Sequence, residues 1–455
     1  MSAALPGHEH ARGALVELEV GPVAHGGHCV ARHDGRVVFV RHTLPGERVL
    51  AALTDAPPDG RFWRADAVEV LEASPDRVPS AWPAAGPGGV GGGELAHVAL
   101  PAQRRWKAAV VGEQLRRLAR LDMPITVEPA PGDDARGGLG WRTRIDLVVD
   151  DAGRAGMYRH RTHDVLPLAG RDAMPLAVPA IADLDLFSQR WPAGSRLHVV
   201  APAAADGTDP PGQPLVLVDD QPWERGRPDR RRGARTSVRE VVRSGDEEYR
   251  YRVAASGFWQ VHREAPAVLV GAVLDALADG AAGQDLAGQF DGGMLLDLYS
   301  GAGLLTQPLA RLVGPSGSVL AVEGDARAVR DARRNAHDLP QVELLQGDVG
   351  RVLADLIKRA PAGGRAGDVR GVVLDPPRVG AGRRVVEQVA ALAPAVVVYV
   401  ACDPAALARD VAYFAERGYE LRGLRALDLF PMTHHVECVA LLEKTGSDLP
   451  RSDSR

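Results

Sequence analysis

Cysteine is scarce in this sequence. The 455 residues contain three cysteines, Cys29, Cys402 and Cys438, an odd number without CxxC spacing. Neither a disulfide framework nor a tetrahedral zinc site can be built from them, so a reducing compartment is expected. The sequence also lacks a basic N-terminal region followed by an apolar run, and any stretch of roughly 20 apolar residues. These absences argue against a membrane partner and predict a cytoplasmic protein.

Net positive charge is lacking as well. The 54 basic and 59 acidic residues give a formal net charge of −5, so binding to nucleic acid must depend on local patches. The densest basic run is Arg225–Arg235. Such a run is either a solvated flexible loop or a segment that contacts phosphates.

The length and the composition predict two or three domains. Residues 1–75 contain short strand patterns separated by glycines, which indicate a small β-barrel. Residues 76–255 combine a linker rich in proline and glycine, a helical pattern and several strands, which together indicate a central α+β domain. Residues 256–446 form the third unit, and residues 447–455 a disordered tail.

The third unit has the clearest pattern. Strand-like segments at Met294–Tyr299, Ser318–Glu323, Val342–Gln346 and Val396–Val400 alternate with helical segments. This alternation predicts an α/β fold with a mostly parallel, helix-covered sheet. The last two strand candidates, Tyr419–Leu427 and Val436–Leu442, lack a clear helix between them, which indicates an antiparallel edge.

Cys402 follows the apolar strand that ends at Val400 and lies in a tight turn. Strand ends are where ligands collect in doubly wound sheets, so this thiol is a candidate nucleophile. The alternative is a small buried apolar residue, as most lone cysteines are.

Polar groups at three other strand ends indicate an adenosine site. The Asp297–Gly303 turn contains Gly301 and Gly303, which let the backbone approach a ligand closely. Glu323 ends the next strand, where an acid can accept hydrogen bonds from ribose hydroxyls, and Asp348 follows the third. Asp348 could instead be a helix N-cap. The third glycine of a dinucleotide motif is missing, so S-adenosylmethionine fits better than NAD.

Five motifs occur in the order and approximate spacing of the RNA uracil-5-methyltransferase family, and the chain resembles that family from about Arg12 to Lys444. The N-terminal barrel likewise looks like the family's TRAM domain, an OB-like barrel. The resemblance implies a class I, Rossmann-like catalytic sheet at the C-terminus. The motifs are Phe258-Trp259-Gln260, Asp297–Gly303, Leu374–Arg378, Tyr399–Pro404 and His434–Glu437.

The resemblance implies transfer of a methyl group from S-adenosylmethionine to carbon 5 of a uridine in transfer or ribosomal RNA. Carbon 5 is a weak nucleophile, so the Cys402 thiolate first adds to carbon 6, and Glu437 later removes the carbon 5 proton. Without the resemblance, Glu437 reads as a surface acid paired with a neighbouring histidine. The cofactor is expected to contact Gln260, Tyr299, Gly301, Gly303, Glu323, Asp348 and Asp375.

The sequence departs from the family pattern at several positions. Many members carry an iron-sulfur cluster on four cysteines, but residues 82–93 contain none here, so no cluster and no metal are expected. Ser300 and Leu304 replace the usual Cys and Asn of the glycine turn. Asp403 replaces the Asn after the nucleophile, and its charge is expected to raise the pKa of Cys402.

Two alternatives stay open at this stage. One is a noncatalytic RNA-binding protein that retains a methyltransferase fold, which the altered turn favours. The other is methylation of cytosine or of a small molecule, against which the barrel and the central domain argue. A monomer is the default expectation.

Overall fold

The structure is a computed structural model. It describes residues 13–170, 173–202, 212–280, 290–359 and 369–445, so the tail predicted at 447–455 lies outside the described residues. No helix within these ranges is long and apolar enough to cross a bilayer.

The N-terminal unit is a closed five-stranded barrel with the order β1-β2-β3-β5-β4. Alternate residues of each strand point inward, and Val38, Val40 and Val49 are completely buried. The predicted barrel is confirmed, although one of its strands, β2, had not been predicted. Its strands are β1 (Leu15–Ala24), β2 (His28–His33), β3 (Arg36–Arg41), β4 (Arg48–Asp55) and β5 (Phe62–Glu72).

The segment that follows the barrel contributes to the C-terminal unit. A short 3-10 turn at Pro83–Ala85 precedes the helix Leu100–Gln114, which a single π-type turn extends through Leu115–Ala119. The chain then forms the short strand β6 (Val127–Pro129), which pairs in parallel with a strand of the C-terminal sheet about 300 residues later.

The central unit contains an antiparallel sheet with the order β13-β12-β11-β10-β7-β8-β9 and the one-turn helix Pro179–Ala182. The basic run lies partly on its edge, where Arg231 forms ion pairs with Glu224 and Asp229, so the run is partly neutralised. The strands are β7 (Arg144–Val149), β8 (Ala155–Tyr158), β9 (Val165–Pro167), β10 (Arg196–Val200), β11 (Leu215–Val218), β12 (Gln221–Glu224) and β13 (Arg227–Pro228).

A hairpin of β14 (Ser237–Ser244) and β15 (Glu247–Ala254) precedes the predicted boundary at residue 256 but packs on the C-terminal unit. Its Tyr251 and Val253 belong to the same hydrophobic cluster as Leu309 of the catalytic layers. The Tyr251 hydroxyl also donates a hydrogen bond to the Leu304 carbonyl, 2.9 Å away. The hairpin therefore supports the glycine turn from below.

The C-terminal unit is an eight-stranded sheet with the order β18-β17-β16-β19-β20-β22-β21-β6. The strands β16 to β20 are parallel, and β22 is antiparallel to both of its neighbours. The predicted Rossmann-like sheet with an antiparallel edge is thus confirmed. The strands are β16 (Met294–Leu298), β17 (Ser318–Glu323), β18 (Val342–Gln346), β19 (Val369–Leu374), β20 (Val396–Ala401), β21 (Tyr419–Asp428) and β22 (Glu437–Lys444).

Helices cover both faces of this sheet. Every residue of β20 is buried, as expected for a central strand with helices on each side. The strand order reverses beside β16, and a crevice opens there at the carboxyl ends of β16 and β19. The covering helices are Ala265–Asp279, Thr306–Val313, Ala326–Asn335, Val349–Arg359, Gly382–Leu392 and Pro404–Ala415.

Candidate active site

A cleft of about 900 Å³ lies at the carboxyl ends of the parallel strands. All the residues predicted for the site line it except Gly303. Gly303 instead closes the turn from below, where its N–H donates to the Ser300 carbonyl. The predicted residues that line the cleft are Gln260, Tyr299, Gly301, Glu323, Asp348, Asp375, Cys402 and Glu437.

The glycine turn after β16 has an unusual backbone. Tyr299, Gly301 and Gly303 have φ values of 64°, 56° and 90°. No atom lies within 4 Å of the position that a Cβ on Gly301 would occupy, so the backbone there is open to a ligand. The Gly301 N–H donates to Glu323 Oε2 at 2.9 Å, and the Asp325 N–H donates to Oε1 at 2.7 Å. Glu323 thus fixes the turn while it lines the cleft.

Asp348 is a helix cap, and it also lies at the cleft. Its Oδ1 accepts a hydrogen bond from the Arg351 N–H at 2.9 Å, so it caps the first turn of the helix Val349–Arg359. It also lines the cleft, beyond Glu323. Phe258, Trp259 and Gln260 also line the cleft.

Asp297 lies beneath the turn at the end of β16. Its Oδ2 accepts a hydrogen bond from the Thr306 hydroxyl at 2.5 Å. Burial raises the pKa of Asp297 to about 7, because the charged form is poorly solvated, and Glu323 adds to the effect. This carboxyl group therefore gains and loses its proton near neutral pH.

Asp375 and Glu437 form a second acidic pair in the cleft. Burial raises the pKa of Asp375 to about 7, and Asp297 raises it further. Burial, with the charge of Asp375, also raises the pKa of Glu437 well above its ordinary value, while Arg378 opposes this. Neither carboxyl group has a hydrogen-bond donor among the described residues. Both are available to a ligand.

Strand pairing brings Cys402 and Glu437 together. The strands β20 and β22 are antiparallel, and Ala401 lies opposite Cys438. Cys402 is one residue beyond Ala401, and Glu437 is one residue before Cys438, so the same register makes them neighbours across the strand ends. Directly opposite side chains in such a pair have Cβ atoms about 5 Å apart. The thiol and the carboxyl group thus share one wall of the cleft.

The Cys402 thiol is the protonated form in the resting site. Burial raises its pKa to about 12, and the charges of Glu437 and Asp375 act in the same direction. Asp403 contributes the least of these acids, since it is occupied elsewhere: its Oδ1 accepts the Ala406 N–H at 2.8 Å, and its Oδ2 lies 3.1 Å from His25 Nε2. The expected effect of Asp403 on the thiol is therefore present but small.

Two further residues of the cleft were not predicted as site residues, although His435 lies within the His434–Glu437 motif. His435 lines the cleft, and its Nε2 lies 3.2 Å from Arg378 Nη2. Burial lowers the pKa of His435 to about 3, so the ring is neutral. Phe430, at the end of the β21 connection, closes the apolar side of the cleft. An aromatic or imidazole ring near a strand end is too common in cores to be assigned from sequence alone.

The other two cysteines lie in different units of the fold. Cys29 is buried in the barrel, and Cys438 in the catalytic sheet. In the segment without cysteines, Trp82 is buried and its Nε1 donates to the Ala173 carbonyl. Across the described ranges, no group of three or more His, Cys, Asp or Glu side chains could hold a metal ion.

Comparisons with known proteins show the family of this chain. The family model for tRNA (uracil-5-)-methyltransferase matches residues 225–445, and the TRAM domain model matches residues 10–68. An uncharacterized RNA methyltransferase of Streptomyces avermitilis is 44% identical over 456 residues, which cover 96% of this chain and 100% of that protein. Another, from Bifidobacterium longum, is 44% identical and covers 94% and 96%. The chain belongs to the RNA uracil-5-methyltransferase family.

A solved member of this family shares the whole fold. The Pyrococcus abyssi tRNA (uracil-54, C5)-methyltransferase, solved with S-adenosyl-L-homocysteine, superimposes with a TM-score of 0.62 at 20% identity, covering 94% of this chain and 100% of that one. This similarity shows the fold. The family matches above show that the chain is an S-adenosylmethionine-dependent RNA methyltransferase with a TRAM domain.

The cleft of the present chain fits S-adenosylmethionine chemically. The cofactor carries a sulfonium and an ammonium group, and the cleft carries carboxyl groups on Glu323, Asp348 and Asp375 beside the open backbone at Gly301. The Ser300 hydroxyl is buried and has no hydrogen-bond partner within the described residues, so it is a polar group that a ligand could satisfy. The replacement of the family's Cys by Ser300 therefore keeps a donor at this turn.

Proposed function

We propose that this protein methylates carbon 5 of a uridine in RNA through a covalent bond between Cys402 and carbon 6 of the ring. The observation that carries the proposal is the register of β20 and β22, which brings one thiol and one carboxyl group together at the cleft. Thiol addition and proton abstraction must act on adjacent ring carbons, so the two groups must be neighbours. The cofactor contacts we propose are Gln260, Tyr299, Gly301, Glu323, Asp348 and Asp375, with Gly303 shaping the turn.

The chain's own residues account for the steps at the base. The Cys402 thiol first loses its proton to water. Its sulfur then forms a bond with carbon 6, and the double-bond electrons move to carbon 5 and the neighbouring carbonyl. S-adenosylmethionine would supply an electrophilic methyl group to carbon 5 and would leave as S-adenosylhomocysteine. Glu437 then accepts the proton from carbon 5. The electrons of that C–H bond restore the ring double bond, and the Cys402 thiolate leaves.

The electrostatics of the cleft suit this order of reaction steps. Burial, together with the neighbouring acids, keeps the pKa of Cys402 high, so the thiol is unreactive until a ligand changes its surroundings. A bound cation lowers the pKa of nearby acids and thiols, because it stabilises their charged forms. Cofactor binding should therefore activate Cys402 and Glu437 together.

The substrate is an unpaired or flipped-out uridine, because carbon 6 cannot be reached in a stacked helix. We propose that the barrel and the central unit hold the RNA around it. The test is mass spectrometry of nucleosides from the transfer and ribosomal RNA of cells with and without the protein. Loss of 5-methyluridine from one fraction, restored by the wild type but not by Cys402→Ala, is the expected result and identifies the RNA class.

Other outcomes would point to other functions. Loss of 5-methylcytidine instead would mean a cytosine substrate, and a methylated small molecule without any change in RNA would exclude both. Unchanged nucleosides together with unimpaired RNA binding would favour the noncatalytic alternative.

A further inference from the structure

Arg378 is a cation without an ion pair in the catalytic cleft. Its Nη2 donates a hydrogen bond to His435 Nε2 at 3.2 Å, and it forms no ion pair with any carboxylate of the described residues. Burial and three neighbouring acids raise the pKa of Cys402, whereas the charge of Arg378 lowers it. Arg378 also opposes the rise in the pKa of Glu437. The three acids are Glu437, Asp375 and Asp403.

The loop that follows Arg378 is fixed by a carboxylate from another helix. Asp410 is completely buried. Its Oδ2 accepts hydrogen bonds from the Ala381 N–H at 2.8 Å and from the Gly382 N–H at 3.0 Å. These amides have no intrahelical partner, because they lie at the start of the helix Gly382–Leu392, and that helix has no capping side chain of its own. Asp410 therefore caps this helix from outside and fixes the loop before it.

Arg409 holds the same loop at a second point. Its Nη2 donates to the Val379 carbonyl at 2.7 Å, and its Nε donates to Asp410 Oδ1 at 3.0 Å. Gly380 packs directly against Asp410, since a Cβ there would lie 2.6 Å from Oδ2. The Val379 side chain is 73% exposed, so its burial cannot hold the loop. The polar contacts hold it instead.

The helix that carries Asp410 also begins at the nucleophile turn. Cys402 lies directly before the N-cap of the helix Pro404–Ala415, and Asp410 lies about two turns inside that helix. The Tyr399 hydroxyl donates to Asp410 Oδ2 at 2.8 Å, so the strand that leads to Cys402 is tied to the same carboxylate. One helix thus sets where the Arg378 loop lies relative to Cys402.

We propose that Asp410 is a positioning residue: by holding the loop of residues 379–382, it keeps the Arg378 guanidinium beside Cys402, where the positive charge stabilises the thiolate. The inference rests on the proposed role of Cys402 as the nucleophile. Asp410 touches neither the base nor the cofactor and acts through Arg378. A purely structural role for Asp410 would affect stability but would leave the charge beside the thiolate unchanged.

The test compares the rates at which iodoacetate and iodoacetamide alkylate Cys402 in the full-length protein without cofactor or RNA. Mass spectrometry of the peptide that contains Cys402 separates this reaction from that of the other cysteines. The two reagents differ in charge, so the ratio of their rates reports a cation beside the thiolate and does not depend on the fraction of thiol that is ionised. Arg378→Gln should lower the ratio of iodoacetate to iodoacetamide rates about threefold, the effect of one partly screened charge.

Asp410→Ala should lower this ratio by about twofold or more, because the loop and its cation would no longer be held. The direction is diagnostic, since removal of a carboxylate without movement of the loop would favour the anionic reagent and raise the ratio. In a protein that already carries Arg378→Gln, Asp410→Ala should lower the ratio no further. The matched control is Glu416→Ala, which removes another acid that contacts the start of the helix Gly382–Leu392, through Arg383, outside the cleft. It should leave the ratio unchanged.

Arg409→Lys keeps the test decisive if Asp410→Ala does not fold, as checked by circular dichroism. Lysine keeps the positive charge but lacks the planar fork that joins Val379 to Asp410, so the ratio should fall, though less than in Asp410→Ala. The proposal is overturned if Arg409→Lys and a folded Asp410→Ala leave the ratio at or above that of the wild type. It is also overturned if Arg378→Gln has no effect, or if Asp410→Ala still lowers the ratio when Arg378 is already replaced.

Failure of the proposed reaction can be distinguished from failure of this inference. If Cys402→Ala still transfers methyl groups but the ratios fall as expected, the proposed nucleophile is wrong and the placement of Arg378 by Asp410 stands. If Cys402→Ala abolishes transfer but the ratios do not change, the reaction stands and the positioning role is wrong.

Discussion

The imidazole Nε2 of His25 lies 3.1 Å from Oδ2 of Asp403. A residue of the N-terminal barrel thus pairs with the residue that follows the candidate nucleophile. The hydrogen bond to Asp403 raises the pKa of His25, and Glu113 adds a smaller effect of the same sign. Burial alone would raise the pKa of Asp403, but the hydrogen bonds from His25 and from the Ala406 N–H outweigh it and lower the pKa. The pair ties the barrel to the active site.

Loss of this pair should shift the pH dependence of methyl transfer. His25→Ala leaves the charge of Asp403 uncompensated near Cys402. The apparent pKa of the rising limb of the pH profile, at which the Cys402 thiol ionises, should therefore increase by a few tenths of a unit. Asp403→Asn removes this charge and should lower the same pKa by a similar amount. The amide oxygen can still cap the helix, so the local fold should be kept. The measurement is the pH profile of kcat. His33→Ala, at a barrel histidine next to Asp34, is the control. Profiles that coincide with the wild type would mean that the pair only joins the two units.

Glu437→Gln should separate bond formation from proton removal. The amide has nearly the same shape but cannot take the carbon 5 proton, so the adduct through Cys402 should accumulate and turnover should fall by about 10²-fold or more. A protein–RNA band that survives denaturing electrophoresis is the readout. The double variant Cys402→Ala/Glu437→Gln should give no such band. Full turnover by Glu437→Gln would remove Glu437 from the proposed mechanism.

Much of the fold follows from local pattern. The alternation of strands and helices from Met294 onward predicts the parallel sheet, because each strand is apolar and each helix is amphipathic. The three-residue strand Val127–Pro129 is too short to show any period, and its partner Ala426 is about 300 residues away. The hairpin Ser237–Ala254 shows strand alternation, but its sequence does not say which core it joins.

Part of the candidate site can likewise be predicted from local sequence, and part of it cannot. The motifs around Gly301, Asp375 and Cys402 identify strand ends, so their convergence at one edge of the sheet can be predicted. The register that brings Glu437 to Cys402 is a long-range pairing, which sequence spacing does not determine. The His25 contact depends on how the barrel docks, and a histidine in a glycine-rich turn carries no signal of its partner.

Asp297→Asn should stabilise the protein relative to the wild type, and this gain should be larger at alkaline pH than at acidic pH. The pKa of Asp297 is about 7 in the folded state and about 3.9 in an unfolded chain. Between these values the folded state binds more protons, so the free energy of unfolding of the wild type falls as pH rises from about 4 to 7. Asparagine cannot ionise, so it avoids this loss and should retain the contact with Thr306.

Urea unfolding at pH 5 and pH 8 checks this expectation. The variant should gain more than about 1 kcal/mol over the wild type between these two pH values. Asp151→Asn, at an exposed surface position, is the control and should show no such gain. Equal pH dependence in Asp297→Asn and the wild type would mean that the carboxyl group is ionised in the folded protein throughout this range.

The buried ion pair of Lys107 and Asp428 should be critical for stability but replaceable as a unit. Lys107 Nζ lies 2.5 Å from Asp428 Oδ1 and 3.0 Å from the Phe430 carbonyl, and both side chains are almost completely buried. Lys107→Met leaves a buried carboxylate that, among the described residues, is paired only with Arg104, at 3.6 Å. The cost should be about 3 kcal/mol.

The double variant Lys107→Met/Asp428→Leu should recover most of that loss, because no buried charge remains unpaired. Urea denaturation of the two single variants and the double variant gives the coupling energy directly. Because Asp428 begins the connection that leads to Phe430 and His435, Lys107→Met should also lower methyl transfer under conditions where it is still folded. If the two single changes were simply additive, the pair would not be coupled, and the connection to the cleft would be held by its apolar contacts alone.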